Sequence, residues 1–428
     1  MKAVVNNRIF LEATPELKRN LDTLLTYKIP GRLPMDPPFI IKNMKVVRSK
    51  LVSIPIGAFS LIPKEYEVID NRVKHPVNFP TPLVTLRDDQ KDVYNLVEDN
   101  CIINAKPGWG KTFTGLFIAA KLGQKTLIVV HTTNLRNQWA KEVEKVFGFK
   151  AGIIGGGKFD TDSPIVIGNT QSLYNKIPFI SKEFGTLILD EMHHIPAASF
   201  SKLLDQNHAR YKIGLSGTVK RKDGRHVYFK DYFSEEIHKP INDNVLTPEV
   251  HIHHPGFQFP DGGMPWANRV NDLEYNEEYQ QYVASLATIY ANKGHKVLVV
   301  AARTQFLVNV AKLIGDNAIC ITGETVKVED REGLEQRLYG NRINVLAGAI
   351  SIYKEGISIN PLSCLIQGTP INNDPMLEQL AGRINRPHKE KNKTIIVDIN
   401  LKGKTASNQA RNRFAFYSKQ GWKITTYQ

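Results

Sequence analysis

Residues 105–112, AKPGWGKT, carry glycines, a lysine and a hydroxyl at the spacing that cradles a polyphosphate. Backbone N–H groups of such a loop point at phosphate oxygens, and a helix starting at its end adds partial positive charge. Gly108 and Gly110 let the backbone approach the ligand closely. Lys111 can reach the β- and γ-phosphates, and the Thr112 hydroxyl can ligate Mg²⁺. Ala105 occupies the first position of the usual G-x-x-x-x-G-K-[ST] pattern, which relaxes the match. A plain glycine turn with a solvated lysine is the alternative. The second signature is LILDEMHHI, residues 187–195. Asp190, at a strand end, can hold Mg²⁺ through water, and Glu191 can orient and deprotonate the water that attacks the γ-phosphate. An acidic strand end is ordinary in isolation, but it gains meaning behind a phosphate loop in the same predicted sheet. The adjacent His193 and His194 face different directions and share a ligand cage poorly, so no zinc site is expected. The third signature runs from Gln379 to Arg386, QLAGRINR. On a helix Arg383 and Arg386 share one face, where guanidinium groups can stabilise a transferring phosphoryl group. Alone, this too is a solvated basic helix. Together the three imply a site split between two domains. ATP would sit on the first and the arginines would come from the second, with hydrolysis coupled to opening and closing of the cleft.

The elements that must position these residues are legible in the hydrophobic pattern. Cys101-Ile102-Ile103 precedes the phosphate loop as a strand, and FTGLFIAAKL follows it as a helix. From Leu86 onward, short apolar strands (CIINA, TLIVVH, SPIVIGN, GTLILDE, YKIGLSG) alternate with helical stretches such as NLRNQWAKEVEKVFG. That alternation predicts a parallel sheet with helices on both faces. Residues 240–275 break the rhythm. It resumes with a helix, EYNEEYQQYVASLATIYANKG, and the strands KVLVVAA, AICITG, INVLAGA, CLIQGTP and TIIVDIN, a second α/β domain. Before the alternating α/β part, RIFLEA reads as a strand. Thr14 and Pro15 read as the cap and first residue of a helix over ELKRNLDTLLTYKI. FIIKNMKVVRSKLVSIPI reads as further strands, and KHPVNFPTPL as a proline-rich linker. The expected division is 1–84 accessory, 85–242 ATP-binding and 243–428 C-terminal.

Composition bounds the class. The chain has 428 residues, 42% apolar and 23% charged, ordinary for a soluble globular protein of about two or three domains. Cys101, Cys320 and Cys364 are far apart without metal-ligand spacing and read as buried thiols of a reducing compartment. No apolar run approaches a membrane span, and MKAVVNNRIFLEA lacks a secretory h-region, so a cytoplasmic location and no membrane partner are expected. A net charge of +14 favours a polyanionic partner.

In order and spacing, these segments resemble a superfamily 2 helicase or translocase core over about residues 84–400. LRDDQ (86–90) resembles the Q motif, which puts Gln90 on the adenine base with Arg87 beside it. AKPGWGKT resembles motif I, where alanine at the first position is usual; Pro107 and Trp109 belong to that loop. HTTNLRNQW (131–139) resembles motif Ia, GNTQSL (168–173) the next strand-contacting motif, and DEMHH motif II, a DEAH-like box with Met192 where alanine is typical. LSGTVKRKDG (215–224) resembles an extended motif III, with Ser216 and Thr218 coupling nucleotide state to the polymer site. VVAARTQF, AISIYKEGISI and QLAGRINR resemble motifs IV, V and VI, with Gly356 near the nucleotide and Gln379 in the last of them. The likeness is to phage UvsW-type branch-migration helicases and XPB-type enzymes. It implies tandem RecA-like domains behind a small α+β accessory domain that binds DNA.

The same resemblance implies that Thr132, Thr133, Thr170, Gln171, Arg303, Thr304 and Ser351 grip the sugar–phosphate backbone. Such contacts are sequence-independent, as a motor requires, although serine and threonine at strand ends are as commonly local caps. Lys220, Arg221, Lys222 and Arg225 form a basic loop for the duplex or junction, or simply a solvated one. The expected activity is ATP- and Mg²⁺-dependent movement of one subunit along one strand of forked or four-way DNA. RNA helicase activity, a switch-type binding module and a motor subunit of a larger complex are the alternatives.

Overall fold

The computed structural model describes residues 1–30, 37–192, 197–217, 229–241, 245–321, 331–350, 359–386, 388, 391 and 393–427. The chain divides into two compact units: Met1–Lys106 with Gly110–Asp243, and Asn244–Gln428 with Pro107–Trp109.

The first unit is built on an eight-stranded sheet. Its strands are β1 (Cys101–Asn104), β2 (Thr126–Val130), β3 (Gly152–Gly155), β4 (Lys158–Phe159), β5 (Ile165–Asn169), β6 (Thr186–Leu189), β7 (Tyr211–Ser216) and β8 (Ile237–His238). Their spatial order is β4-β3-β5-β2-β6-β7-β1-β8, parallel except for β4 against β3. β2 and β5 are buried at every position. A strand covered on both faces reads as a mainly apolar run, and Leu127–Val130 and Ile165–Ile167 do. The covering helices show the complementary stripe. In α3 (Thr133–Phe147), Trp139, Val143, Val146 and Phe147 are buried at helical spacing, and Gly148 ends the helix at φ 76°. Within this unit, α1 is Asp88–Leu96, α2 is Lys111–Leu122 and α4 is Thr170–Tyr174.

The second unit is a seven-stranded, wholly parallel sheet. Its strands are β9 (Glu249–His253), β10 (Val297–Ala301), β11 (Ala318–Ile321), β12 (Val345–Ala349), β13 (Cys364–Gln367), β14 (Ile395–Ile399) and β15 (Lys423–Tyr427), in the order β11-β12-β10-β13-β14-β9-β15. The helices used below are α5 (Glu277–Asn292), α6 (Thr304–Ile314) and α7 (Asp374–Ile384). Each unit is thus built on a large, mainly parallel sheet, as the alternation implies, of the RecA-like kind that the resemblance implies. The rhythm break at 240–275 contains an additional helix, Trp266–Glu274, that its glycines and prolines conceal.

The N-terminal α+β part has its own five-stranded sheet and core, including Ala3, Val5, Ile9, Leu11, Val52 and Ile54. Thr14 caps its helix, accepting from the Leu17 N–H at 3.2 Å. That helix stops at Leu24, short of the expected TYKI. Thr26–Ile29 instead forms a strand paired with Phe39–Lys42, because Thr, Tyr and Ile favour the pleat. The proline-rich stretch is not loose: Val77 N–H donates to Gly123 O at 3.0 Å and Leu83 N–H to Val146 O at 2.7 Å. Polar staples add to this within the first unit. Arg8 Nη1 meets Asp205 Oδ1 at 2.6 Å, while Tyr27 Oη and Asn43 Nδ2 both donate to Asp231, at 2.7 and 2.8 Å. Among the described residues, no helix is long and apolar enough to cross a membrane.

Candidate nucleotide and nucleic-acid site

The phosphate loop leaves β1 and enters α2. Gly108 (φ 93°) and Gly110 (φ 102°) hold left-handed backbone that L side chains avoid, which explains their residue type. Gly110 is the N-cap of α2, so the helix's unpaired N–H groups open onto the loop. A Cβ at Gly110 would overlap the Gln90 amide, with Arg87 Nη1 also near. This brings the LRDDQ segment against the loop. Arg87 N–H donates to Gln90 Oε1 at 3.0 Å, and the Arg87 guanidinium pairs with Asp89 at 3.0 Å. Trp109 is buried, Pro107 is half-buried, and Thr112 is the second residue of α2.

Lys111 is buried, donates to the loop's own Ala105 carbonyl at 2.9 Å, and lies 3.5 Å from Glu191 Oε1. Asp190 follows β6, and its N–H donates to Val129 O on β2 at 3.0 Å. Its carboxylate accepts from Trp139 Nε1 at 2.7 Å and from the Glu191 N–H at 2.9 Å. Burial, with Glu191's charge in second place, raises the Asp190 carboxyl to about 6. Glu191 sits at φ 45°, one of two described non-glycine residues with positive φ. An L residue with this backbone is strained, and such strain gathers at functional sites. The glycine cradle, the helix N-terminus, one ammonium, one hydroxyl and two carboxylates are the donor set a magnesium–nucleotide needs. Ser216 ends β7, buried, and its carbonyl accepts from the Ala105 N–H at 3.1 Å, tying that strand to the loop.

The described residues proposed for a polynucleotide follow strand ends. Thr132 caps α3 by accepting from Leu135 N–H at 3.2 Å, and Thr133 is exposed. Thr170, buried at the start of α4, donates to Val130 O at 3.1 Å, so its hydroxyl proton is committed locally, while Gln171 is exposed. In the second unit Arg303 caps α6. Its N–H donates to Glu274 Oε2 at 2.9 Å, and its guanidinium to Asn271 at 2.7 Å and Ala267 O at 3.2 Å. Thr304 beside it is exposed. Gln379 and Arg383 are half-buried on α7, and Arg386 follows the helix end. Lys391, absent from the sequence reading, fixes that end: its ammonium donates to Ile384 O at 3.0 Å and Arg386 O at 3.1 Å. Burial and then Arg386's charge lower its pKa to about 7. Glu274 is a second omission; it binds the Ala302 and Arg303 N–H groups and Thr369. His193, His194, Thr218, Lys220, Arg221, Lys222, Arg225, Ser351 and Gly356 lie outside the described residues. Among the described residues no cluster of three His, Cys, Asp or Glu side chains could hold a metal, and the three cysteines are free.

Two family models match the chain: the res subunit of type III restriction enzymes over residues 83–221, and the helicase conserved C-terminal domain over 280–388. "Probable helicase D10" of Escherichia phage T5 is 41% identical over 434 residues, covering 100% of this chain and 96% of the phage protein. L396 of Acanthamoeba polyphaga mimivirus, provisionally named an ATP-dependent RNA helicase, is 26% identical over 99% of this chain and 85% of its own length. The ATP-dependent DNA helicase uvsW of Enterobacteria phage T4 is 23% identical over 72% of this chain and 67% of its own.

Proposed function

The chain belongs to the superfamily 2 helicases, and from that premise we propose that it is an ATP-driven motor that moves along one DNA strand and remodels forks and four-way junctions. The observation that carries the ATPase part is the convergence of Lys111, Asp190 and Glu191 beside the Gly108/Gly110 cradle. Likeness to the phage T4 DNA helicase uvsW over 72% of the chain supports the polymer.

The proposed working parts are an accessory segment, 1–84, an ATP-binding lobe, 85–242, and a second lobe, 243–428. Lys111 exchanges the Ala105 carbonyl and Glu191 for the β- and γ-phosphates, and this exchange frees Glu191 to hold and deprotonate the attacking water. Thr112 and Asp190 would hold a magnesium ion, which supplies charge neutralisation on the phosphate oxygens. Gln90 and Arg87 would take the base. Arg383 and Arg386 would meet the transferring group when the lobes close, with Gln379 and Gly356 alongside. Ser216 and Thr218 would relay nucleotide state. Thr132, Thr133, Thr170, Gln171, Lys220, Arg221, Arg303, Thr304 and Ser351 would grip phosphates without reading sequence. A single subunit suffices for this cycle.

The mimivirus relative's name favours a second reading, RNA unwinding. Linear, forked and four-way DNA, with matching RNA, should be assayed for ATP-dependent strand displacement. Displacement on branched DNA is the expected result. Displacement confined to RNA would transfer the motor to the other polymer.

A further inference from the structure

Trp139 is a buried tryptophan for which the motor scheme has no task. It lies in α3, about two turns beyond the N-cap Thr132. Its indole N–H donates to Asp190 Oδ2 at 2.7 Å. Its ring lies on α2 where that helix carries Gly115; a Cβ there would stand 3.2 Å from ring carbon Cη2. One rigid side chain therefore touches the helix that leaves the phosphate loop and the acid that would hold magnesium. It rides on the helix whose first turn bears Thr132 and Thr133. All of these groups belong to the first unit.

We propose that Trp139 is a positioning residue that couples DNA to the nucleotide site, moving with α3 and setting where the Asp190 carboxylate stands. This rests on the reading of Thr132 and Thr133 as strand contacts and of Asp190 as a magnesium ligand. The physical ground is stiffness. Trp139 is wholly buried and packs on α2 at Gly115, so a shift of α3 cannot be absorbed by rotamer change alone. The indole donates one directional bond to a buried carboxylate, and a bond to a charged group is among the stronger ones. Phosphate drawn to the start of α3 would shift the helix, the indole would follow, and the carboxylate would turn with its donor. Linkage makes the effect mutual: whatever DNA does to Mg²⁺–nucleotide affinity, Mg²⁺–nucleotide does to DNA affinity.

The test uses the full chain and equilibrium binding rather than turnover. A fluorescent single-stranded oligodeoxynucleotide is titrated with and without Mg²⁺ and a non-hydrolysable ATP analogue; the analogue is then titrated with and without the oligonucleotide. In the wild type both ratios should be equal and of order 5–150-fold. Trp139→Phe keeps a flat ring in the pocket and removes the donor. Its ratios should collapse to within about twofold of one while each ligand alone still binds. A folded Trp139→Phe protein with the wild-type ratio overturns the proposal. If that variant does not fold, ¹⁵N-indole spectra of the wild type decide. The hydrogen-bonded indole signal should move when DNA alone is added, and a signal blind to DNA overturns the proposal. Failure of the parent reading has a different signature: a wild type whose ATPase ignores DNA altogether.

Discussion

Lys391→Met separates a role in catalysis from a role in stability. The wild-type ammonium is buried and donates to Ile384 O and Arg386 O. Two hydrogen bonds from a charged donor are worth about 3–6 kcal/mol gross. Against this stands the cost of keeping that charge in the interior. The fall in its pKa from 10.5 to about 7 corresponds to roughly 5 kcal/mol at about 1.4 kcal/mol per pH unit. The two nearly cancel, and methionine fills the channel with an apolar chain of similar length. Global stability should therefore change by no more than about 1–2 kcal/mol, or a few degrees in Tm. The turn after α7 fares worse, since Arg386 loses the tether on its own carbonyl. The neighbouring Asn385 keeps its own bonds, from the Thr394 hydroxyl at 3.0 Å and from the Leu246 N–H at 2.8 Å. If Arg386 meets the transferring phosphoryl group as proposed, misplacing it by even an ångström costs on the order of 100-fold, and a partial loss of about tenfold in kcat is expected. DNA-stimulated ATPase and thermal melting should be measured on Lys391→Met, on Arg386→Ala and on the double variant. Because Lys391 would act through Arg386, the double variant should be no slower than Arg386→Ala alone. Additive losses, or an unchanged kcat in Lys391→Met, would refute the reasoning.

Lys111→Ala should abolish hydrolysis by removing the phosphate's counter-charge, and normal turnover would remove Lys111 from the site. Glu191→Gln should bind nucleotide yet turn over on the order of 100-fold slower; wild-type turnover would deny Glu191 its role as base. Asp398→Asn breaks the buried pair with Arg413, 2.8 Å apart and joined by the Tyr417 hydroxyl at 3.0 Å, and should cost about 3–5 kcal/mol in urea unfolding. A loss under 1 kcal/mol would mean that water reaches the guanidinium. The second sheet should loosen in acid. Burial, then neighbouring His251, lowers His253 to about 4, below its ordinary 6.5, and burial lowers His251 and His295 too. Unfolded chains bind these protons first, so this stability is complete above 6.5 and is lost as pH falls from 6.5 towards 4. For His253 alone the full shift would be about 3 kcal/mol, and its half-exposure leaves roughly 1–2. Protection factors along β9, corrected for the pH dependence of intrinsic amide exchange, should fall about tenfold between pH 7 and 5, and a flat profile would contradict it.

The sheets were legible because a strand covered on both faces reads as a mainly apolar run, as Leu127–Val130 and Ile165–Ile167 do. The phosphate loop was legible because its geometry permits few residue types at Gly108 and Gly110. What stayed hidden depends on partners distant in sequence. Trp139 and Asp190 are separated by 51 positions, and nothing local marks the indole as a donor. Lys391 sits in HKEKNK, which reads as a solvated charge run; only the fold shows that this lysine turns inward. The positive φ of Glu191 is equally silent, since glutamate carries no signature of left-handed backbone. The helix predicted through TYKI failed because its pairing strand, Phe39–Lys42, lies beyond a local window.

The staples from Arg8, Asn43 and Tyr27 reach two carboxylates, Asp205 and Asp231, in the segments that follow the DEMHH box and the SGT strand. Traction applied to the N-terminal part would therefore be carried straight into those segments rather than dissipated in a tether. The same arrangement forbids simple modular surgery. Cutting at residue 84 would strip the buried Asp231 of its Tyr27 and Asn43 donors, so the truncated chain should come out of cells as aggregate unless that position is neutralised.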